Sequence, residues 1–270
     1  MVCKGGKEEK MFEPGRVAQL FFLIVICAAV IYFVETSRHG KLPKLRKLAG
    51  LDAVEEAIGR ATEMAKPVVI STGIGGLTGV EAPQTVAGLS MVGYVARLCA
   101  KYGARLIAPA RQPYVVPVET EIIQTAFIEE GKPEEASRAV DMVQYLSDSQ
   151  FSYTIAYLAI LKREQPGAHF MIGAYWAESL QLAEVGFTTR AVQIAGTAQT
   201  AQIPFFVAAC DYCLIGEEIF AAGAYLSNDP IQVGSVVGQD IGKALALILI
   251  VLGMIFGSVG FTTFAKLLKS

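Results

Sequence analysis

Residues 67–79 read PVVISTGIGGLTG, and this stretch decides the fold class. Pro67–Thr72 is a short apolar run rich in β-branched side chains, the mark of a strand buried on both faces. A glycine-rich turn follows. The spacing then becomes helical from Ala82 to Tyr102, with Pro83 in the first turn and Gly103 just past the last. Proline inside the start and glycine beyond the end is the asymmetry a helix requires. Strand, glycine turn and helix in that order make the first half of a right-handed βαβ crossover.

The alternation extends both ways. Upstream, Asp52–Ala65 has helical spacing, with Asp52 as its N-cap. Downstream, Arg105–Ala110 (RLIAPA), His169–Gly173 (HFMIG) and Ala191–Ala195 (AVQIA) are apolar runs that predict strands. Val118–Glu130, Asp141–Arg163 (in one or two pieces), Trp176–Val185 and Glu217–Leu226 predict helices, and Lys132–Arg138 a polar connection. Phe205–Ile215 suits a strand or a buried helix, and its Phe, Val and Tyr content favours the strand. Asn228–Gly238 reads as a turn-rich lead. Strands alternating with helices predict an α/β fold, a mainly parallel sheet with helices on both faces (Rossmann-like).

Outside this core lie two longer apolar runs. Val17–Val34 (VAQLFFLIVICAAVIYFV) carries no charge, and Gln19 is its one strongly polar residue. It spans roughly 27 Å at ~1.5 Å per residue, close to the ~30 Å hydrocarbon core. A mixed-charge leader and a bulky YFVETSRHGK end argue for an uncleaved helix over a signal peptide. Ala244–Phe261 (ALALILIVLGMIFGSVGF) is the second, and Gly253, Gly257 and Gly260 are spaced for close helix packing. The expected organisation is a polar tail (1–16), a transmembrane helix (17–34), a basic juxtamembrane linker (35–50), an α/β domain (51–240), a second transmembrane helix (241–264) and a tail (265–270).

Charge and cysteine usage limit the surroundings. With 23 Lys and Arg against 25 Asp and Glu, the chain lacks the basic excess of a nucleic-acid binder. Bases near the spans are equal in number on the two sides. Their density around Arg38, Lys41, Lys44, Arg46 and Lys47 places the α/β domain in the cytoplasm. The five cysteines do not form a disulfide framework, which agrees. In KLPKLRKL, leucines interleave with Lys41, Lys44, Arg46 and Lys47, as in a segment lying on anionic headgroups.

The stretches ETSRHGKLPKLRKLAGLDAVEEAIGRATEM, STGIGGLTGVEAPQTVAGLS, QIAGTAQTAQIPFFVAACDYCLIGEE and AYLSNDP resemble an uncharacterised family of prokaryotic membrane proteins, a domain of unknown function. The likeness covers about residues 35–243. It implies membrane association and brings no activity, ligand or catalytic residue with it.

Chemistry has few candidates. STGIGGLTG leaves backbone N–H groups able to converge on an anion at a helix start, with Ser71 and Thr72 beside Gly73, Gly75 and Gly76. Thr78 stands where a dinucleotide fingerprint has its third glycine, and no Lys-Ser/Thr pair makes it a Walker loop. A tight structural turn is the alternative. In a parallel sheet the loops after the strands share one edge. That edge would gather Ser71–Gly76, Arg111, Gln112, Trp176, Glu178, Thr197, Gln199 and Thr200, a set suited to a small polar anion with Arg111 reading its charge. His169 opens a strand and reads as structural. Cys210 and Cys213 form a lone C-x-x-C, read as core residues on opposite faces of a strand. No metal site and no cofactor motif is indicated. The leading expectation is a membrane-anchored scaffold that self-associates into a homo-oligomer. The alternatives are a membrane-tethered sensor of a small anionic or nucleotide-like ligand and, less favoured, an enzyme of unrecognised type.

Overall fold

The computed structural model describes residues 17–39, 49–227 and 229–258. The chain divides into two units. Of the described residues, 49–227 form one and 17–39 with 229–258 form the other.

In chain order, α1 is Val17–Arg38, α2 Ala49–Glu63, β1 Val68–Gly73, α3 Ala82–Tyr102, β2 Leu106–Ala110 and α4 Val116–Glu129. Two single turns follow, α5 (Pro133–Ala136) and α6 (Ala139–Met142), then β3 (Val143–Tyr145) and α7 (Gln150–Glu164). The second half is β4 (Ala168–Ala174), α8 (Glu178–Thr188), β5 (Val192–Thr197), α9 (Ile203–Ala209), β6 (Tyr212–Ile215), α10 (Glu218–Ser227) and α11 (Pro230–Ser258).

The six strands form one sheet, every pair parallel, in the order β3-β2-β1-β4-β5-β6. This is the doubly wound order in which direction reverses between β1 and β4. β1, β2 and β4 are buried at every position, as strands covered on both faces must be. α2, α3, α4 and α10 pack their apolar sides on one face; α7, α8 and α9 cover the other. α3 begins and ends where the sequence places it. Gly103 closes it in the left-handed region (φ 74°) and returns its N–H to Cys99 O.

Five segments depart from expectation. β3 lies inside the stretch read as helix from Asp141. It has three residues at the sheet edge, too few for a period-2 signal. The polar connection 132–138 contains the turn α5. Phe205–Ile215 divides into the end of α9 and β6: Pro204 sits in the first turn of α9, Phe206 packs in the core from that helix, and only Tyr212–Ile215 pairs as a strand. Asn228–Gly238 is not turn-rich. From Pro230 it is already α11, started by Asp229, whose Oδ1 accepts from Ile231 N at 3.0 Å. Asp52 stands in the first turn of α2 instead of capping it.

The second unit is an antiparallel pair of helices, α1 and α11, both long and apolar enough to cross a membrane. Their contact runs through glycines: a Cβ on Gly234 would meet Val34 Cα at 2.6 Å and one on Gly238 would meet Val30 Cα at 2.6 Å, while Gly242 faces Ile26. Small residues four apart let two backbones approach this closely. The seam therefore starts well before the glycines expected to pack. Gly253 is half-buried on α11, and the surroundings of Gly257 and Gly260 lie outside the described residues. So do Lys41, Lys44, Arg46 and Lys47.

Candidate functional site

The strand C-terminal edge between β1 and β4 is where a doubly wound sheet holds its ligand. β1 ends in Ser71, Thr72 and Gly73; β4 ends in Gly173 and Ala174. The strands cross closely here. Gly73 (φ 81°) would drive a Cβ to 2.2 Å from Ala174 O, and Gly173 (φ 151°) to 2.0 Å from Thr72 O. Ile74 N then bonds Ala174 O at 2.8 Å. Both glycines are fixed by this crossing.

The turn after β1 is covered by the chain itself. A Cβ on Gly75 would lie 2.6 Å from Thr85 Oγ1, and one on Gly76 would fall on the Tyr114 hydroxyl. The first amides of α3 are spent as well. Ala82 N bonds Gly79 O, Gln84 N and Thr85 N bond Glu81 O, and Pro83 has no N–H. The Glu81 carboxylate sits at the helix start, where the dipole favours negative charge, and accepts from Trp176 Nε1 at 2.8 Å. The start of α3, where a dinucleotide-binding fold takes its phosphate, thus carries a carboxylate and helix amides already engaged, with Gly75 and Gly76 walled in by Thr85 and Tyr114.

The other expected residues are gathered at the same edge, mostly bonded to one another's elements. Ser71 Oγ lies 2.7 Å from Tyr153 OH and accepts from Gly73 N, while Tyr175 OH donates to Ser71 O. Both oxygens of the buried Glu178 accept, from Trp176 N at 2.9 Å and from Gln150 Nε2 at 2.6 Å. Thr197 Oγ1 donates to Gln84 Oε1, which also takes Ala198 N, and accepts from Gln199 N. Thr200 is exposed at the start of the next loop. Gln112 Nε2 reaches Ile74 O at 3.4 Å.

Two groups remain incomplete. Arg111 donates Nη1 to Ile74 O at 2.8 Å, but its Nε is buried without a partner. Glu119, fully buried on α4, accepts Thr72 Oγ1 at 2.8 Å on Oε1, while Oε2 has no partner. Burial pushes the Glu119 carboxyl up to about 7, against the opposing pull of the Thr72 bond. A buried polar atom without a partner calls for a reason.

Glu119 escaped the sequence reading, although Glu119, Ile123 and Phe127 follow helical spacing on one stripe and so mark a carboxyl on a buried face. Tyr114, Tyr153, Tyr175 and Glu81 also shape this edge, and only the folded chain brings them to it. Cys210 and Cys213 correct an expectation. Cys210 closes α9 instead of lying on a strand, so both thiols pack on the same side of the sheet and bond each other, and that bond lowers Cys213. Two surface clefts, of about 440 Å³ beside Arg105 and Arg138 and about 350 Å³ along Val86, Leu89 and Gly93, lie away from the switch point.

A family model covers nearly the whole chain, residues 7–268. The chain belongs to that family, a domain of unknown function (DUF6754). No curated protein and no solved structure matches the chain.

Proposed function

We propose that the protein is a membrane-anchored scaffold. α1 and α11 cross the bilayer as a hairpin, the α/β unit stays on the cytoplasmic side, and copies of the chain associate. One observation carries the scaffold reading: at the switch point, the glycine turn is covered by Thr85 and Tyr114 and the α3 amides are already bonded. The residues that open this edge to a ligand in a dinucleotide-binding domain here stabilise the fold. Membrane insertion is supported by the exposed apolar sides of both long helices, among them Phe21, Leu23, Ile24, Ile31, Leu247 and Ile250. The density of bases at residues 38–47 supports the cytoplasmic side and contact of that segment with anionic lipid.

The test is direct. Two differently tagged copies expressed together should stay in the membrane pellet after an alkaline carbonate wash and should copurify in mild detergent. A chain released by the wash, or copies that never copurify, overturns the proposal.

The unpartnered Arg111 Nε and Glu119 Oε2 favour a second reading, a sensor of a small ligand at this edge. Such a molecule would offer an acceptor to Arg111 and a donor to Glu119, as a small hydroxy acid does. A thermal-shift screen of carboxylic acids and nucleotides tests it. Stabilisation lost in both Arg111→Lys and Glu119→Gln supports the sensor, and no shift with any compound removes it.

A further inference from the structure

The antiparallel register of α1 and α11 fixes how deep each residue of one helix lies beside the other. Gly234 meets Val34, Gly238 meets Val30 and Gly242 meets Ile26, so every step of four along α11 matches a step of four back along α1. Continued, this register sets Ala29, Ala28 and Val25 of α1 level with Gln239, Asp240 and Lys243 of α11. Lys243 then lies roughly 13 Å from Val34 at ~1.5 Å per residue, near the middle of the apolar run Val17–Val34. The sequence alone places these residues at the edge of a span that begins near Ala244; the pairing places them inside it.

They also face away from α1. Gly234 and Gly238 are buried in the seam, whereas Gln239, Asp240 and Lys243 are exposed on the far side of α11, the Asp240 and Lys243 side chains by 62% and 47%. Gln232, Gln239 and Lys243 follow i, i+7, i+11 and so share one helical stripe, with Asp240 beside it. Lys243 Nζ bonds Asp240 Oδ1 at 2.8 Å, which makes the stripe neutral as a whole while its charges stay on the surface. Charged and amide groups at such depth are expensive against lipid tails and turn to protein partners.

We infer that this stripe is the contact through which one copy of the chain meets another, with Asp240 of each copy pairing with Lys243 of the other and the glutamines bonding across the interface. The occupant is a second copy because one acid and one base, a turn apart, are complementary to themselves about a two-fold axis along the membrane normal. The inference rests on the self-association proposed above and names the surface that carries it.

Exchange of the two charges tests it with neutral chains. A chain carrying Asp240→Lys together with Lys243→Asp keeps both internal and mutual pairing, so it should copurify with itself as wild type does. Beside wild type it sets like charges together, and copurification should fall about tenfold. As a second arm, Asp240→Lys in one copy and Lys243→Asp in the other should each fail to self-associate and should copurify with each other. An alkaline carbonate wash of every chain shows that it is inserted. Wild-type and swapped chains that mix freely overturn the stripe while leaving self-association in place. Wild-type copies that do not copurify at all overturn self-association itself, and the stripe falls with it.

Discussion

On the side of the sheet covered by α2, α3, α4 and α10, the strands contribute Val68, Ile70, Leu106, Ala108, Phe170, Ile172 and Ile194 to an almost wholly aliphatic cluster. On the side covered by α7, α8 and α9 they contribute Val69, Ile107 and Met171, but also Ser71, His169 and Gln193, against Tyr153, Tyr157 and Tyr175. Both sides exclude water; they do so by different physics. The aliphatic side is held by area and shape. The tyrosine side is held by a fully specified chain of hydrogen bonds. Gln193 Nε2 donates to Ala183 O and Ala209 O, which leaves Gln193 Oε1 to accept from His169 Nδ1. His169 Nε2 then accepts from Tyr157 OH at 2.9 Å. A buried network of this kind fixes one arrangement when complete and is costly when broken. The acid on the aliphatic side is Glu119, a buried carboxyl among its helices that takes the Thr72 hydroxyl.

The sharpest way to separate the two sides is to empty one. Phe170→Ala removes a fully buried ring from the aliphatic side and should cost about 3–5 kcal/mol in denaturant unfolding. A loss under about 1 kcal/mol would mean that this side is loosely packed and the contrast is false.

pH distinguishes the sides next. Burial holds His169 neutral down to about 4, against an ordinary 6.5, so the unfolded chain binds the extra proton between those values and stability falls as pH drops through them. Glu119 keeps its proton up to about 7, against an ordinary 4.5, so the folded chain binds the extra proton and stability falls as pH rises through that window. The two slopes oppose each other where the windows overlap. Glu119→Gln removes one and should leave stability rising with pH between about 4 and 6.5, by up to ~1.4 kcal/mol per unit. A profile that stays as flat as wild type contradicts the placement of both groups.

Tyr157→Phe is the smallest change. It deletes one hydroxyl and leaves His169 Nε2 buried without a donor, for an expected loss of about 1–3 kcal/mol. The isosteric change Met171→Leu on the same side should stay below about 1.5 kcal/mol. If the two cost the same, the network adds nothing to shape.

Much of this architecture is written in local sequence. Val68–Gly73 and Leu106–Ala110 are continuous apolar runs, and Pro83 and Gly103 mark α3 to the residue. What escaped was set by distant partners. Val143–Tyr145 is a strand because β2 offers it an edge, not because three residues have a period. The seating of Gly234 and Gly238 against Val34 and Val30 is set by a helix far away in the chain. At the candidate site, the positions of Ser71, Arg111, Glu178 and Thr197 followed from the rule that parallel strands end at one edge. Their engagement did not, because Tyr114, Tyr153 and Gln150 reach that edge from elsewhere in the chain.

The sheet's two sides explain how the α/β unit stands; the proposed scaffold role turns on association between copies. Light scattering of the detergent-solubilised protein, corrected for bound detergent, measures this most directly. Self-association predicts a protein mass at least twice the 28.9 kDa of one chain, and a mass of 28.9 kDa at every concentration would contradict it.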